Sequence, residues 1–348
     1  MTIRGIGRLR QYAAWTRRQL TGSAVILLYH RIAELAEDPQ LLSVTPRNFS
    51  EQMSVLRKFG KPLPLTELIT LGRDRNLPQR GIVVTFDDGY ADNLHNAKPA
   101  LARYEIPATV FVTAGHVGST EEYWWDEIER LLLEPSRLPE VLVLRTDKVK
   151  LDWQLGESCA YDEEDRLKYR GWNVRLEPPS SRHALYLALH KLVRPLEKGP
   201  REQVLSELRR WSGCGTQGRS THQAASVLEI QELANGGLVE IGAHTVTHPV
   251  LSRVAKDVQC MEIEQSKASL QHMLGRPVKN FAYPFGGRSD YAPESVAAVR
   301  KAGFESACSN YPGLVERKSD LFQLPRVLVG NWSGNEFARH LRKWMAYG

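Results

Sequence analysis

Short apolar runs recur along the chain, each broken by polar or glycine-rich residues: AVILLY at 24–29, GIVVTF at 81–86, ATVFV at 108–112, LVEIG at 238–242, NFAY at 280–283, FESAC at 304–308 and LFQLPRV at 321–327. Near-continuous runs belong to strands covered on both faces, whereas a half-solvated sheet would alternate polar and apolar positions. Helical periods lie between them. Ile263, Ser266, Leu270 and Met273 step by three or four, as do Phe337, Leu341 and Trp344. Asp290 is placed to cap a helix from Tyr291, and Gly275 followed by Pro277 stops the preceding one. Strand alternating with helix predicts an α/β fold, and a barrel or partial barrel of seven parallel strands is its expected form.

The rhythm fails over residues 119–221, which hold five of the eight tryptophans. So long a stretch cannot be one structureless loop in a compact fold. It reads as an inserted subdomain, helical at 125–133 and 185–192, with a strand pair around 141–153. The expected organisation is a basic helical segment at 1–23, the first part of the barrel at 24–118, the insertion at 119–221, and the rest of the barrel with a C-terminal helix at 222–348.

Composition narrows the function. The formal net charge is +6, and Arg4, Arg8, Arg10, Arg17 and Arg18 stand at the start with no acid among them. The body is therefore nearly neutral and carries no basic stripe, which excludes a nucleic-acid groove. Peripheral contact with an anionic membrane through the basic N-terminus remains an expectation. Four scattered cysteines lack metal or disulfide spacing, and the longest early apolar run is too short for a leader or a span. A cytoplasmic protein, at most peripheral at the inner face of the membrane, is expected. A chain of 348 residues buries a sizeable core unaided, so a bound metal would serve chemistry rather than folding.

Three motifs end strand-like runs. In TFDDGY, Asp87 and Asp88 follow a strand and precede a glycine turn; adjacent carboxylates diverge, so one can hold a cation while the other faces a reacting water. In HTVTHP, His244 and His248 converge on one ion if the residues between them turn, and with Asp88 they form a two-histidine, one-aspartate set. FAYPFGG offers Tyr283, Pro284 and Phe285 as a substrate wall, with the Phe285 N–H facing a developing oxyanion. Tyr90, with Trp124 or Trp125, adds aromatic surface for a sugar ring. His30 in LLYHRI and Arg326 in LPRV are two further strand-end groups on the face expected to hold Asp87. Each motif also has a plain structural reading as a turn, a core histidine or a surface ion pair.

In this order and each after a strand, TFDDGY, HTVTHP and FAYPFGG resemble the first three motifs of the polysaccharide deacetylase family, the chitooligosaccharide deacetylase homology domain. LLYHRI resembles the branch associated with exopolysaccharide synthesis. The resemblance implies a distorted (β/α) barrel, Asp87 as general base, and Asp88, His244 and His248 as ligands of a divalent metal, usually zinc, with Co2+, Mn2+ or Ni2+ as other candidates. It implies removal of N- or O-acetyl groups from a glycan bearing N-acetyl amino sugars, or from its lipid-linked precursor. The chain departs from the family pattern twice. Ala282 stands where an arginine usually pairs with the catalytic aspartate, and the late Leu-x-His motif is missing. Arg326 is expected to reach Asp87 from another strand, and His30 to replace the late histidine as proton donor, His340 being on an amphipathic helix. The competing readings are hydrolysis of a non-glycan amide or formyl group, and a lapsed enzyme that only binds glycan.

Overall fold

The computed structural model describes residues 22–347, so the basic segment expected at 1–23 lies almost wholly outside the described residues. Seven strands form one parallel sheet: β1 (Ala24–Tyr29), β2 (Gly81–Phe86), β3 (Ala108–Val112), β4 (Val239–Ala243), β5 (Asn280–Ala282), β6 (Ser306–Cys308) and β7 (Val327–Leu328). Their order across the sheet is β6-β5-β4-β3-β2-β1-β7, and a short strand, Lys61–Pro62, pairs beside β2 off this path. The sheet curls without closing: β6 and β7 form no ladder with each other, and its two ends meet through one bridge, Cys308 to Leu324, with backbone hydrogen bonds around it such as Ser309 N–H to Leu324 O at 2.9 Å and Arg326 N–H to Tyr311 O at 3.1 Å. The expected distorted, seven-stranded barrel thus takes the form of an open, curled α/β sheet, a half-barrel of seven strands.

Side-chain alternation sorts each strand onto two faces. Val25, Leu27, Tyr29, Val84, Phe86, Val110, Val112, Ile241 and Phe281 pack outward in the large core under the helices. Ala24, Ile26, Val83, Phe111, Ala282 and Cys308 share a smaller cluster inside the curl. Gly242 continues that inner row, because a Cβ there would lie 2.4 Å from the Phe111 ring. Since every ladder is parallel, the loops after β2, β4 and β5 leave from the same C-terminal rim.

The insertion has its own apolar cluster, including Ile128, Leu131, Leu142, Leu185, Leu189 and Leu208. Helix Trp124–Leu133 is buried along its whole length, and helices Ser181–Val193 and Lys198–Ser212 pack on it. The strand pair is an antiparallel hairpin, Val141–Arg145 with Lys150–Gln154. Two local expectations fail. The run at 321–327 contributes only Val327–Leu328 to the sheet, because Pro325 has no N–H for a ladder. The helix after FAYPFGG begins at Pro293 with Ala292 at its N-cap, so Asp290 does not cap it. No helix among the described residues is long and apolar enough to cross a membrane.

Candidate active site

Asp87 continues β2 by one step, donating its N–H to Tyr29 O at 3.0 Å, and shares the inner face with Val83 and Thr85. Asp88 then turns at φ 73° and Gly89 at φ 79°, which breaks the strand alternation. On the next loop His244 extends β4, donating its N–H to Val112 O at 2.9 Å. Thr245 (φ 64°) and His248 (φ 55°) fold the HTVTHP loop back on itself, and the His248 N–H closes it on Thr245 Oγ1. Phe285 stands at φ 59° on the third loop. Positive φ at non-glycine residues costs on the order of 1–3 kcal/mol each. Four such residues at one rim mean that surrounding contacts hold these loops in shape.

The three ligand candidates converge. Asp88 Oδ1 lies 3.4 Å from His248 Nε2 and 3.7 Å from His244 Nε2, and the two imidazole nitrogens are 3.2 Å apart. Nitrogen and oxygen donors bound tetrahedrally at ordinary zinc bond lengths sit about 3.3–3.6 Å from one another, so the spacing fits a divalent ion. His244 donates Nδ1–H to Ala282 O at 2.8 Å, which leaves the Nε2 lone pair directed into the site. Asp88 Oδ1 is buried and accepts no hydrogen bond. Burial, then the neighbouring Asp87, pushes the Asp88 carboxyl well above its ordinary range, and burial pushes the His248 imidazole well below its own. An orphaned carboxylate oxygen facing two imidazole nitrogens is a donor set that fits a divalent cation.

Beside this set, Arg326 meets Asp87 in a two-pronged pair, Nη1 to Oδ1 and Nη2 to Oδ2, each at 2.7 Å. Arg326 Nε donates to Ser309 O and Nη1 also to Thr85 Oγ1, so the guanidinium is fixed in plane. Arg326 precedes β7 rather than ending a strand, and its side chain climbs the inside of the curl to Asp87. Burial works to raise the Asp87 carboxyl, but the Arg326 charge, with His244 and His30, outweighs it and holds the group below the usual carboxylate range. His30 opens onto the same cavity of about 310 Å³. Its Nδ1 is buried without a partner, and burial lowers its pKa to about 4, so it is neutral at pH 7.

Phe285 also lines this cavity, and its backbone N–H has no acceptor among the described residues. Trp124 and Trp125 form another wall, with Trp125 edge-on to His248 at 4.9 Å. Tyr90, Tyr283 and Pro284 are placed elsewhere. Tyr90 is fully buried, donating to Asp126 Oδ2 at 2.7 Å and accepting from Trp125 Nε1 at 2.9 Å. Tyr283 is fully buried against Tyr291, with its hydroxyl on Phe322 O, and Pro284 is buried beside it. None of the three lines the cavity, so none offers a face to a sugar. Gln40, His190, Arg194, Asp290 and Asn310 do line it. No strand or motif in the sequence marks these five, and Asp290 was legible only as a cap.

A second buried set, Asp126, Glu129 and His222, brings its ligand atoms within 4.8 Å of one another. Arg219 already sits 2.7 Å from Glu129 and bonds Glu122 and Glu134, so a guanidinium supplies the positive charge there.

A family model described as polysaccharide deacetylase matches residues 74–137 and 218–307, the two stretches that carry the Asp and His motifs. Over these two stretches the chain is similar to the polysaccharide deacetylases. It resembles the poly-beta-1,6-N-acetyl-D-glucosamine N-deacetylase of Staphylococcus epidermidis, 35% identical over 113 residues, which are 28% of this chain and 38% of that protein. The Staphylococcus aureus protein of the same name is 30% identical over 121 residues, 31% of this chain and 42% of that one. The chain thus spans about two fifths of the length of the curated deacetylases it matches. Its fold is similar to that of the Streptococcus pyogenes deacetylase PplD, solved with acetate (TM-score 0.57, 17% identity, covering 92% of this chain and 99% of that one). IcaB from Ammonifex degensii is similar to the same degree, with TM-score 0.57, 19% identity, and 93% and 97% covered. The two matched stretches carry Asp88, His244 and His248, which together form a candidate metal site.

Proposed function

We propose that this chain hydrolyses the N-acetyl group of amino sugars in an oligo- or polysaccharide or its lipid-linked precursor. One observation carries the reading: Asp87, ionised by Arg326, opens onto the same small cavity as Asp88, His244 and His248. Those three residues would hold the divalent ion, and an imidazole–carboxylate set suits zinc, with cobalt, manganese and nickel as other candidates. When bound, such an ion polarises an amide carbonyl and acidifies water.

The chain's own groups supply the proton traffic. Asp87 accepts a proton from the water that attacks the acetyl carbon, and Arg326 keeps that carboxylate ionised and aimed. The Phe285 N–H donates to the oxygen that gains charge; one such donor is worth about 3–4 kcal/mol at the transition state. His30, neutral in the free site, takes over the proton that Asp87 removed from the water and passes it to the sugar nitrogen as the C–N bond breaks, leaving acetate and a free amine. Trp124 and Trp125 keep the cavity apolar on one side, which favours a small acyl group. The Staphylococcus relatives, named as poly-beta-1,6-N-acetyl-D-glucosamine N-deacetylases, support a glycan substrate.

The test is acetate release from N-acetylglucosamine oligomers by the chain loaded with zinc or cobalt, with Asp87→Asn as the control. Oligomer that is retained without any acetate appearing would overturn the reading in favour of a binding protein, and release of formate from formylated substrates would redirect it to another acyl group.

A further inference from the structure

The segment 138–217 falls outside the family match, yet it places two arginines directly on the motif loops. Arg201, on helix Lys198–Ser212, is buried and donates Nη2–H to Thr247 O at 2.7 Å, inside HTVTHP. The opposite edge of that loop is held by Glu262, whose carboxylate accepts from Val246 N and Thr247 N at 2.8 Å each and from Thr247 Oγ1 at 2.6 Å. The turn that carries His248 is therefore gripped by its N–H groups from the curled sheet's own helix and by a carbonyl from the insertion. Among the described residues Arg201 makes no ion pair within 4 Å and its Nη1 is buried without a partner, so its burial is not explained by a salt bridge. Arg194, at the end of helix Ser181–Val193, lies 4.3 Å over the Phe285 ring and bonds Asp290 Oδ1 at 2.7 Å. Asp290 Oδ2 in turn accepts the Gly287 N–H at 2.9 Å. That chain of contacts spans the third loop from its aromatic side chain to its glycine turn.

We propose that the insertion is a clamp on the site: Arg201 positions the His248 turn for metal binding, and Arg194 positions the Phe285 turn for catalysis. The proposal rests on the metal-site and deacetylase reading above. Both arginines are positioning residues, since neither touches a ligand atom of the metal set. Groups that orient metal ligands typically contribute 10–100-fold in metal affinity. Thr245, His248 and Phe285, all at positive φ in these two loops, explain why: a turn held against its own backbone preference relaxes when one anchor is removed.

The experiment uses the full chain with zinc titrated against a chromophoric chelator, in parallel with thermal unfolding of the metal-free protein. Arg201→Met is expected to weaken zinc binding 10–100-fold, with Arg201→Lys recovering most of it, whereas Arg194→Met stays within about two-fold of the parent. On the deacetylase assay, Arg194→Met is expected to lower kcat about ten-fold at unchanged KM. Should Arg201→Met not fold, Arg201→Lys and Arg201→Gln carry the same measurement at intermediate values. Unchanged zinc affinity in all folded Arg201 variants would overturn the clamp, as would equal loss in Arg194→Met. Because zinc affinity is read without substrate, failure of the deacetylase reading would show separately, as parent enzyme that binds zinc tightly and releases no acetate.

Discussion

Arg326 and Asp87, 239 residues apart in sequence, face each other through two parallel hydrogen bonds of 2.7 Å inside the curl of the sheet. The pairing reaches Asp87 from outside the FAYPFGG segment, where Ala282 stands at the position from which the family resemblance leads one to expect an arginine. Its removal is expected to expose the burial cost it now offsets. In Arg326→Met, Asp87 remains in its apolar surroundings without a partner, so its pKa rises instead of falling. A carboxyl depressed in the folded state adds stability above the ordinary carboxylate range and loses it as pH drops. The variant therefore loses about 3–5 kcal/mol at neutral pH and much less in acid. The acid limb of kcat/KM moves upward in pH as well. Denaturant titrations at two pH values and a rate profile check both; an unmoved acid limb would mean that Arg326 does not keep the base ionised.

Asp87 and Asp88 are neighbours in sequence with different surroundings, and substitution separates their roles. Asp87→Asn leaves the Asp88, His244 and His248 donors intact, so zinc stays bound within a few-fold while turnover falls by about 10²–10⁴. Asp88→Asn or His248→Ala removes a donor, and zinc affinity falls by more than about 100-fold before any assay begins. Metal content measured beside acetate release decides. Equal metal loss in all three variants would show that both aspartates serve the ion.

How much of this was legible in the chain depended on backbone regularity. Asp87 and His244 extend regular strands by one residue, so strand-end position foretold the face they occupy. Tyr283 could have been placed the same way: Ala282 points into the curl, so its neighbours Phe281 and Tyr283 must point out, toward the helices. Tyr90 could not, because Asp88 and Gly89 turn through positive φ and erase the alternation before it. Arg194, Arg201, Gln40 and His190 reach the site by tertiary packing from segments with no motif, and nothing local announces such packing. The curl of the sheet, too, follows from long-range register, while the strands themselves were visible as apolar runs.

His30 is expected to matter in proportion to how badly the leaving group needs a proton. An amine departing from an amide requires one, whereas a phenolate from an aryl acetate does not. His30→Ala should cut N-acetyl hydrolysis by about 10²–10⁴ and leave aryl acetate hydrolysis within a few-fold, with zinc affinity unchanged. Comparison of the two substrates in one variant tests this. Equal losses on both would assign His30 to binding or to the fold rather than to proton delivery.

The insertion should also govern stability in acid. His183 is buried on helix Ser181–Val193 among Tyr161, Tyr169 and Trp172, with ring centroids 5.9, 5.2 and 4.6 Å away, and its Nδ1 meets Ser180 Oγ at 2.8 Å. Burial lowers its pKa to about 4; Arg182 adds to the effect and Asp165 opposes it. His190, on the same helix, is held at about 3, again chiefly by burial. In the unfolded chain these imidazoles titrate near 6.5. Their stabilising contribution is therefore complete above that value and lost as pH falls through the folded values. Between pH 6.5 and about 4 each such histidine contributes a slope of up to about 1.4 kcal/mol per pH unit. His183→Phe, which cannot take a proton, should show a shallower decline of Tm across this window, and the two curves should run parallel above pH 7. A decline that stays as steep in the variant would place the acid sensitivity in the carboxylates instead.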